Sequence, residues 1–383
     1  MRVVILDTYY AAFVADHYRR HPALANAPYL EQHAALMSRA FGVSDAYSHF
    51  LGVLGHEAVE LIGDCEPLQY RWATEQGRFV AERQLVGRIP GPAGQRARRW
   101  LLQRIAMAQI EAFDPDVIYC QNLEFLSRRQ LDALRARGAL VVGQIASPAP
   151  EDRQLQGYDL ILSSFPHFVS RFRALGVDSE EFRLAFDPRI LDRVRERGVD
   201  PAPSARREND IVFVGGVNPG VHRAGTELLE RLCANHRVDV WGYGASELAP
   251  DSAIARSYRG EAWGLEMYSV LASAKVALNR HIDVAEGYAN NMRLYEATGM
   301  GAALVTDAGT NLAELFDPVH EVAVYRDVAE LAATIDRLLA HEDERLKIAT
   351  AGQQRTLTEH TFAQRMEELA SIIEQRLGTR ARR

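Results

Sequence analysis

Three cysteines, Cys65, Cys120 and Cys233, are scattered over 383 residues. An odd number at these separations supplies neither a disulfide framework nor the paired spacing of a zinc site, and it suits a reducing, cytoplasmic compartment. Long apolar runs are missing too: none approaches the roughly 20 residues that cross a bilayer. The apolar start at residues 1–6 breaks at Asp7, too early for a signal peptide. Low-complexity tracts and repeats of solenoid period are absent. A net charge of −7 leaves no basic stripe of the kind that a phosphate backbone demands, which excludes a general nucleic-acid binder. Lysine is scarce, with only Lys275 and Lys347, so arginine carries the positive charge. That usage favours bidentate phosphate or carboxylate contacts, or follows genomic base composition. The nucleophile-elbow pattern G-x-S-x-G does not occur, and a hydrolase of that type has no support.

What is present is ordinary globular composition, 47% apolar and 25% charged, at a length that predicts two domains. Strand-like runs at 3–6, 58–62, 117–120, 140–144, 160–163 and 182–184 alternate with helical stretches, the pattern of a parallel sheet wound by crossover helices. The polar, proline-bearing stretch PAPSARREN at 201–209 reads as a linker. A second series follows, with strands at 211–214, 238–241, 276–278, 302–306 and 322–325. Helices complete the chain, and 362–377 has helical spacing throughout.

The densest chemistry lies at 278–307, LNRHIDVAEGYANNMRLYEATGMGAALVTD. One helix is expected there between two strands, with Asn290 or Asn291 as N-cap and Gly299 with Gly301 as its stop. The free N–H groups of its first turn, around Met292 and beside Arg293, suit a phosphate. Glu286 stands in the preceding loop and Glu296 within the helix, at different levels of one crevice. An ionised carboxylate offers two acceptor oxygens, enough for both hydroxyls of a ribose. The bland alternative makes Glu286 a solvated loop acid and Glu296 a charge on the helix surface.

The motif Asn291, Arg293, Tyr295, Glu296, Ala297, followed by Gly301, Ala302, Leu304, Thr306 and Asp307, resembles the donor site of group 1 glycosyltransferases. Nine residues separate Glu286 from Glu296, against seven in the wider family. The resemblance implies a GT-B fold: α/β, two Rossmann-like domains facing a cleft, and a C-terminal helix crossing back to the N-terminal domain. It implies residues 1–199 as the acceptor-binding domain, 200–209 as linker, 210–361 as the nucleotide-sugar domain and 362–383 as the closing helix. The implied activity is transfer of a sugar from a nucleotide diphosphate sugar (UDP, GDP or TDP type) to a sugar-bearing or small-molecule acceptor. It is a hexosyltransferase-type reaction, independent of metal, with retention suggested by the two glutamates. No cofactor beyond the substrate is implied. A nucleotide-sugar epimerase and a non-catalytic nucleotide-sugar binder are the alternatives.

Further stretches fit this frame. Gly215, Gly216 and Gly220 with His222 and Arg223 form a glycine-rich strand-to-helix turn like the family's donor-phosphate loop, or a plain turn. Val217 breaks G-x-G-x-x-G, which disfavours a nicotinamide dinucleotide. Tyr243, Tyr258 and Glu261 fall where the family holds the nucleotide base, or fill turn and capping roles. In the first half, Ser44 or Asp45 is expected to cap a helix, and Asp45 or His49 is the candidate general base should the enzyme invert. Tyr9, Tyr10, Phe13, His17, Tyr18 and Tyr29 make either an acceptor platform or the core of a small helical subdomain. His167 in SFPHF contacts the transferred sugar or is a satisfied core histidine. Asp114-Pro115-Asp116 precedes a strand and reads as a turn. His17 and His21 lack a third ligand, so no metal site is expected. Arg96, Arg98, Arg99, Trp100 and Arg104 read as a solvated helix face with Trp100 and Leu101 turned inward, and membrane association is not expected.

Overall fold

Short runs of apolar residues buried on both faces make central parallel strands, and this chain has two sets of them. In the computed structural model, which describes residues 1–219 and 223–380, six strands form each of two parallel sheets. The first contains β1 (Arg2–Asp7), β2 (Glu57–Ile62), β3 (Val117–Cys120), β4 (Leu140–Gln144), β5 (Leu160–Ser163) and β6 (Asp178–Glu181) in the order β2-β1-β3-β4-β5-β6. The second contains β7 (Asn209–Val214), β8 (Asp239–Trp241), β9 (Tyr258–Gly260), β10 (Ala274–Asn279), β11 (Ala303–Asp307) and β12 (Ala323–Tyr325) in the order β12-β11-β10-β7-β8-β9. In each sheet the order reverses beside the first strand, at β1/β3 and at β7/β10. Such switch points open a crevice at the carboxyl ends of the strands.

Two edge strands escaped the sequence reading. β6 is Asp178–Glu181, an acidic segment with no apolar signal, and the expected strand at 182–184 lies just beyond it. An edge strand needs only backbone pairing on one side, and Ser179 pairs with Ile161 of β5. The three-residue β9 lies at the other sheet's edge, where Arg259 reaches Asp239 of β8.

The chain divides into two compact units, Met1–Phe182 with Met366–Arg383, and Arg183–Arg365. The expected linker at 200–209 is therefore not where packing divides the chain, because its surroundings bind it to the second unit. Arg207 donates to the carbonyl oxygens of Ala202 and Gly301 at 2.7 and 2.8 Å, to Met300 at 3.2 Å, and to Ala272. A guanidinium has five donors in a rigid fork, and here they staple the segment to two strand-flanking turns. From Met366 onward the last helix (Phe362–Arg380) belongs to the first unit, where Arg376 pairs with Asp178 and Glu180.

In the first unit, Phe13 stacks on Phe41 with ring centroids 4.1 Å apart, and Tyr9 meets both rings edge-on. Tyr9, Phe13 and His17 are buried, while Tyr18 and Tyr29 donate to Gln32 and Gln109. These aromatics form a small helical core, and only Tyr10, 54% exposed, presents a ring to solvent among the six expected to form a platform. The expected cap of the helix Ala46–Val53 is also corrected. Asp45 occupies the N-cap position without a side-chain cap bond, and Ser44 donates instead to the Met37 carbonyl. Trp100 is half exposed rather than inward, with the Arg104 guanidinium 4.8 Å above its ring, whereas Leu101 is fully buried. Among the described residues no helix is long and apolar enough to cross a membrane, and no cluster of metal-ligating side chains occurs.

Candidate functional site

The helix expected after β10 is Met292–Gly299, and Asn291 caps it by accepting from the Leu294 N–H at 3.2 Å. The same side chain donates to Asn279 Oδ1 at 2.9 Å and to the Arg280 carbonyl at 3.2 Å, tying the helix start to the end of β10. Asn290 is not the cap. It is buried, and its Oδ1 accepts from the Tyr295 hydroxyl at 2.9 Å. Gly301, at φ +68°, supplies the left-handed stop, while Gly299 remains helical and leaves room for the Phe186 ring, which an added Cβ would approach to 2.7 Å. Because Asn291 satisfies a helix-terminal donor and bridges two loops, Asn291→Ala is expected to destabilise the second unit by about 1–2 kcal/mol. Denaturant unfolding of the variant checks this.

Glu296 is no surface charge. It is 5% exposed, Arg293 Nη1 lies 2.9 Å from its Oε2, and the Tyr268 hydroxyl lies 3.5 Å from its Oε1. Burial pushes the Glu296 carboxyl pKa up, against the opposing pull of Arg293 and Tyr268. The Arg293 approach is close but poorly aligned: its Nε and Nη1 are buried and make no hydrogen bond. Glu286 is exposed in the loop, in the left-handed region at φ 49°. That loop is held from behind by Asn311, whose side chain accepts from the Ala289 N–H at 2.7 Å and donates to the Ala289 carbonyl at 3.0 Å.

After β7, Gly215 and Val217 extend the pairing with the strand end of β8, donating to Trp241 and Tyr243 carbonyls at 3.0 and 2.9 Å. An added Cβ at Gly242 would fall 1.8 Å from the Gly215 carbonyl oxygen. Gly242 thus lets the two backbones touch, whereas an added Cβ at Gly215 would meet the Phe213 ring at 3.0 Å. Gly216 is half-buried in the same turn. Gly220 and His222 lie outside the described residues. Arg223 begins the helix Arg223–Asn235, is exposed, and pairs with Glu227 one turn along at 3.0 Å.

Tyr258 and Glu261 take turn roles: Tyr258 donates to the Gly242 carbonyl at 2.8 Å, and Glu261 accepts from Trp263 Nε1 at 3.1 Å. Tyr243 lies parallel to Trp263, ring centroids 6.2 Å apart at 11°. In the first unit Asp45 is half-buried and His49 exposed on the helix Ala46–Val53. His167 is packed between rings, stacked on Phe165 at 5.5 Å and edge-on to Phe168 at 4.8 Å.

Two residues of this region, Arg280 and His281, were missed in the sequence, and Asp307 was read there only as part of the motif. Arg280 follows β10, and its Nη1 is 3.2 Å from where a Cβ on Gly225 would sit, against the first turn of the helix Arg223–Asn235. A cation is thereby set beside a helix N-terminus, where anions are favoured. His281 and Asp307, at the ends of β10 and β11, pair through Nδ1 at 2.8 Å. A cleft of about 260 Å³ opens here, lined by Arg280, His281, Asp283, Tyr288 and Asp307 among others. The available signal was position, since each lies at a strand end or within two residues of one at the carboxyl edge of the sheet.

Residues 223–371 match the family model described as glycosyl transferase-like. No curated protein matches the sequence. Among solved structures, HepE from Anabaena in complex with UDP-glucose is similar at 13% identity and TM-score 0.59, covering 98% of this chain and 100% of its own. Sucrose-phosphate synthase from Thermosynechococcus elongatus is similar at 12% identity and TM-score 0.58, over 99% and 100% of the two chains. The trehalose 6-phosphate synthase of Burkholderia multivorans is similar at 11% identity and TM-score 0.57, over 98% and 99%. The fold is that of the two-domain GT-B glycosyltransferases, as the resemblance implied.

Proposed function

We propose that this chain is a glycosyltransferase that takes a sugar from a nucleotide diphosphate sugar and hands it to an acceptor. The observation that carries the reading is a juxtaposition at the carboxyl edge of the second sheet. The starts of the helices Arg223–Asn235 and Met292–Gly299, the cations Arg280 and Arg293, and the buried carboxylate of Glu296 all belong to the stretch that matches the family model. Unpaired N–H groups and guanidinium donors suit a diphosphate, and the departing diphosphate is the charge that grows during transfer. Arginines and helix-start amides, with Arg223 among them, then stabilise that charge without a covalent nucleophile. Glu296 takes the ribose hydroxyls, Glu286 the hydroxyls near the reacting carbon, and the first unit the acceptor. The glutamate pair favours retention of configuration.

A thermal-shift screen of UDP, GDP, TDP and CMP sugars tests the reading. Sugar nucleotides of one base are expected to raise the melting temperature, a ligand at 100 times its dissociation constant adding about 2.7 kcal/mol to stability. A melting temperature indifferent to every one of them would refute donor binding. An isomerised donor appearing without acceptor would reassign the chemistry to epimerisation.

A further inference from the structure

Asp307 closes β11 and receives three contacts from one residue on the neighbouring strand end. The His281 backbone N–H lies 3.1 Å from each carboxylate oxygen, and its ring Nδ1 lies 2.8 Å from Oδ1. Thr306 Oγ1 adds a longer contact at 3.3 Å. Burial works against ionisation of Asp307, but the contacts from His281 together outweigh it and hold the carboxyl below its usual range. An ionised carboxylate only accepts, which places a ring proton on Nδ1; in the tautomer with that single proton, Nε2 carries a lone pair. His281 is 8% exposed, and its Nε2 is buried with no hydrogen-bond partner. A buried polar atom left unmatched costs about 1–3 kcal/mol, so an orphan in the wall of a cleft points to a missing partner. The cleft lies at the carboxyl ends of β10 and β11, with Arg280 and Tyr288 in the same wall.

Given the proposed donor-binding role of this unit, on which the inference rests, the partner's chemistry follows from the tautomer. A lone pair needs a donor. An ionised phosphate offers only acceptors and would require the ring to be protonated, whereas a sugar presents hydroxyls. We propose that His281 Nε2 accepts a hydrogen bond from a hydroxyl of the transferred sugar, with Asp307 as the positioning residue that holds the ring in this tautomer. Removing the ring nitrogens then penalises the sugar-bearing ligand and spares the bare nucleotide.

The test compares the intact protein, His281→Phe and Asp307→Asn by calorimetric titration with UDP-, GDP- and TDP-glucose and with UDP, GDP and TDP. In His281→Phe the affinity for the bound sugar nucleotide is expected to fall about tenfold, while the matching diphosphate binds as before. Asp307→Asn should shift the same contrast by less. In the unaltered protein, the nitrogen-15 resonance of His281 Nε2 should move on adding the sugar nucleotide and stay on adding the diphosphate, a readout that requires no variant to fold. Equal losses for both ligands, no loss for either, or an Nε2 resonance indifferent to the sugar overturns the inference while leaving donor binding intact. A wild-type protein that binds none of the six compounds overturns the proposed function and this inference with it.

Discussion

In a Glu296→Ala protein, affinity for whichever of UDP, GDP or TDP the unaltered chain binds is expected to fall by roughly 30- to 100-fold, the equivalent of about 2–3 kcal/mol, as for loss of hydrogen bonds to a charged acceptor. The size follows from the setting. Glu296 is buried on a rigid helix, so its oxygens are held in place before a ligand arrives, and little ordering is left to oppose binding. The alanine variant also strands Arg293, which has no described ion-pair partner but Glu296. Glu296→Gln separates the two effects, because it keeps one acceptor and fills the space. A glutamine variant of intermediate affinity and near-native melting temperature supports a direct ribose contact; unchanged affinity in both variants removes Glu296 from the site.

Stability of the first unit is expected to decline as pH rises from about 5 to about 8. At the carboxyl end of β1 and β2, burial raises the Asp7 carboxyl to about 7, Glu60 to about 8 and Asp64 to about 6. Backbone N–H groups of Thr8, Ser48 and Tyr9 hydrogen-bond these acids and pull the other way, but desolvation is the larger effect. Each folded pKa lies above the unfolded value, so the native state holds protons that the unfolded chain has already lost. The associated stability is complete below the ordinary carboxylate range and disappears as pH climbs through the raised values, at about 1.4 kcal/mol per pH unit for each such proton. Glu60→Gln keeps the acceptor for Ser48 N–H and removes the charge. Denaturant unfolding at pH 5.5, 7 and 8.5 should show a shallower decline in this variant and greater stability than the parent at pH 8.5. A parent protein as stable at 8.5 as at 5.5 would contradict the assignment.

Much of the second unit's candidate site was legible because its signals are short-ranged. Asn291 caps a helix three residues away, and a strand, a polar loop and a capped helix can be read from a few dozen consecutive residues. The choice between Asn290 and Asn291, however, depended on which amide the Tyr295 hydroxyl occupied, and that follows from helix rotation. Tyr258 and Glu261 were placed near the right strand end, but their protein partners were not legible. Their contacts, Gly242 and Trp263, depend on how β9 lies against β8, and the three-residue β9 carries no apolar pattern. The aromatics at 9–29 illustrate the same limit: composition cannot distinguish a platform from a core, whereas stacking of Phe13 on Phe41 does.

Amino-acid order alone determined the two runs of strands and helices, the capped helix with its glycine stop and the residue types around it, since propensity, periodicity and capping act over a few residues. Only the tertiary structure decided that Glu296 is buried, that the segment holding Arg207 belongs with the second unit, and that His281 meets Asp307 across 26 positions. Those outcomes depend on strand order, because β10 beside β11 brings two strand ends together that nothing in their local sequence pairs.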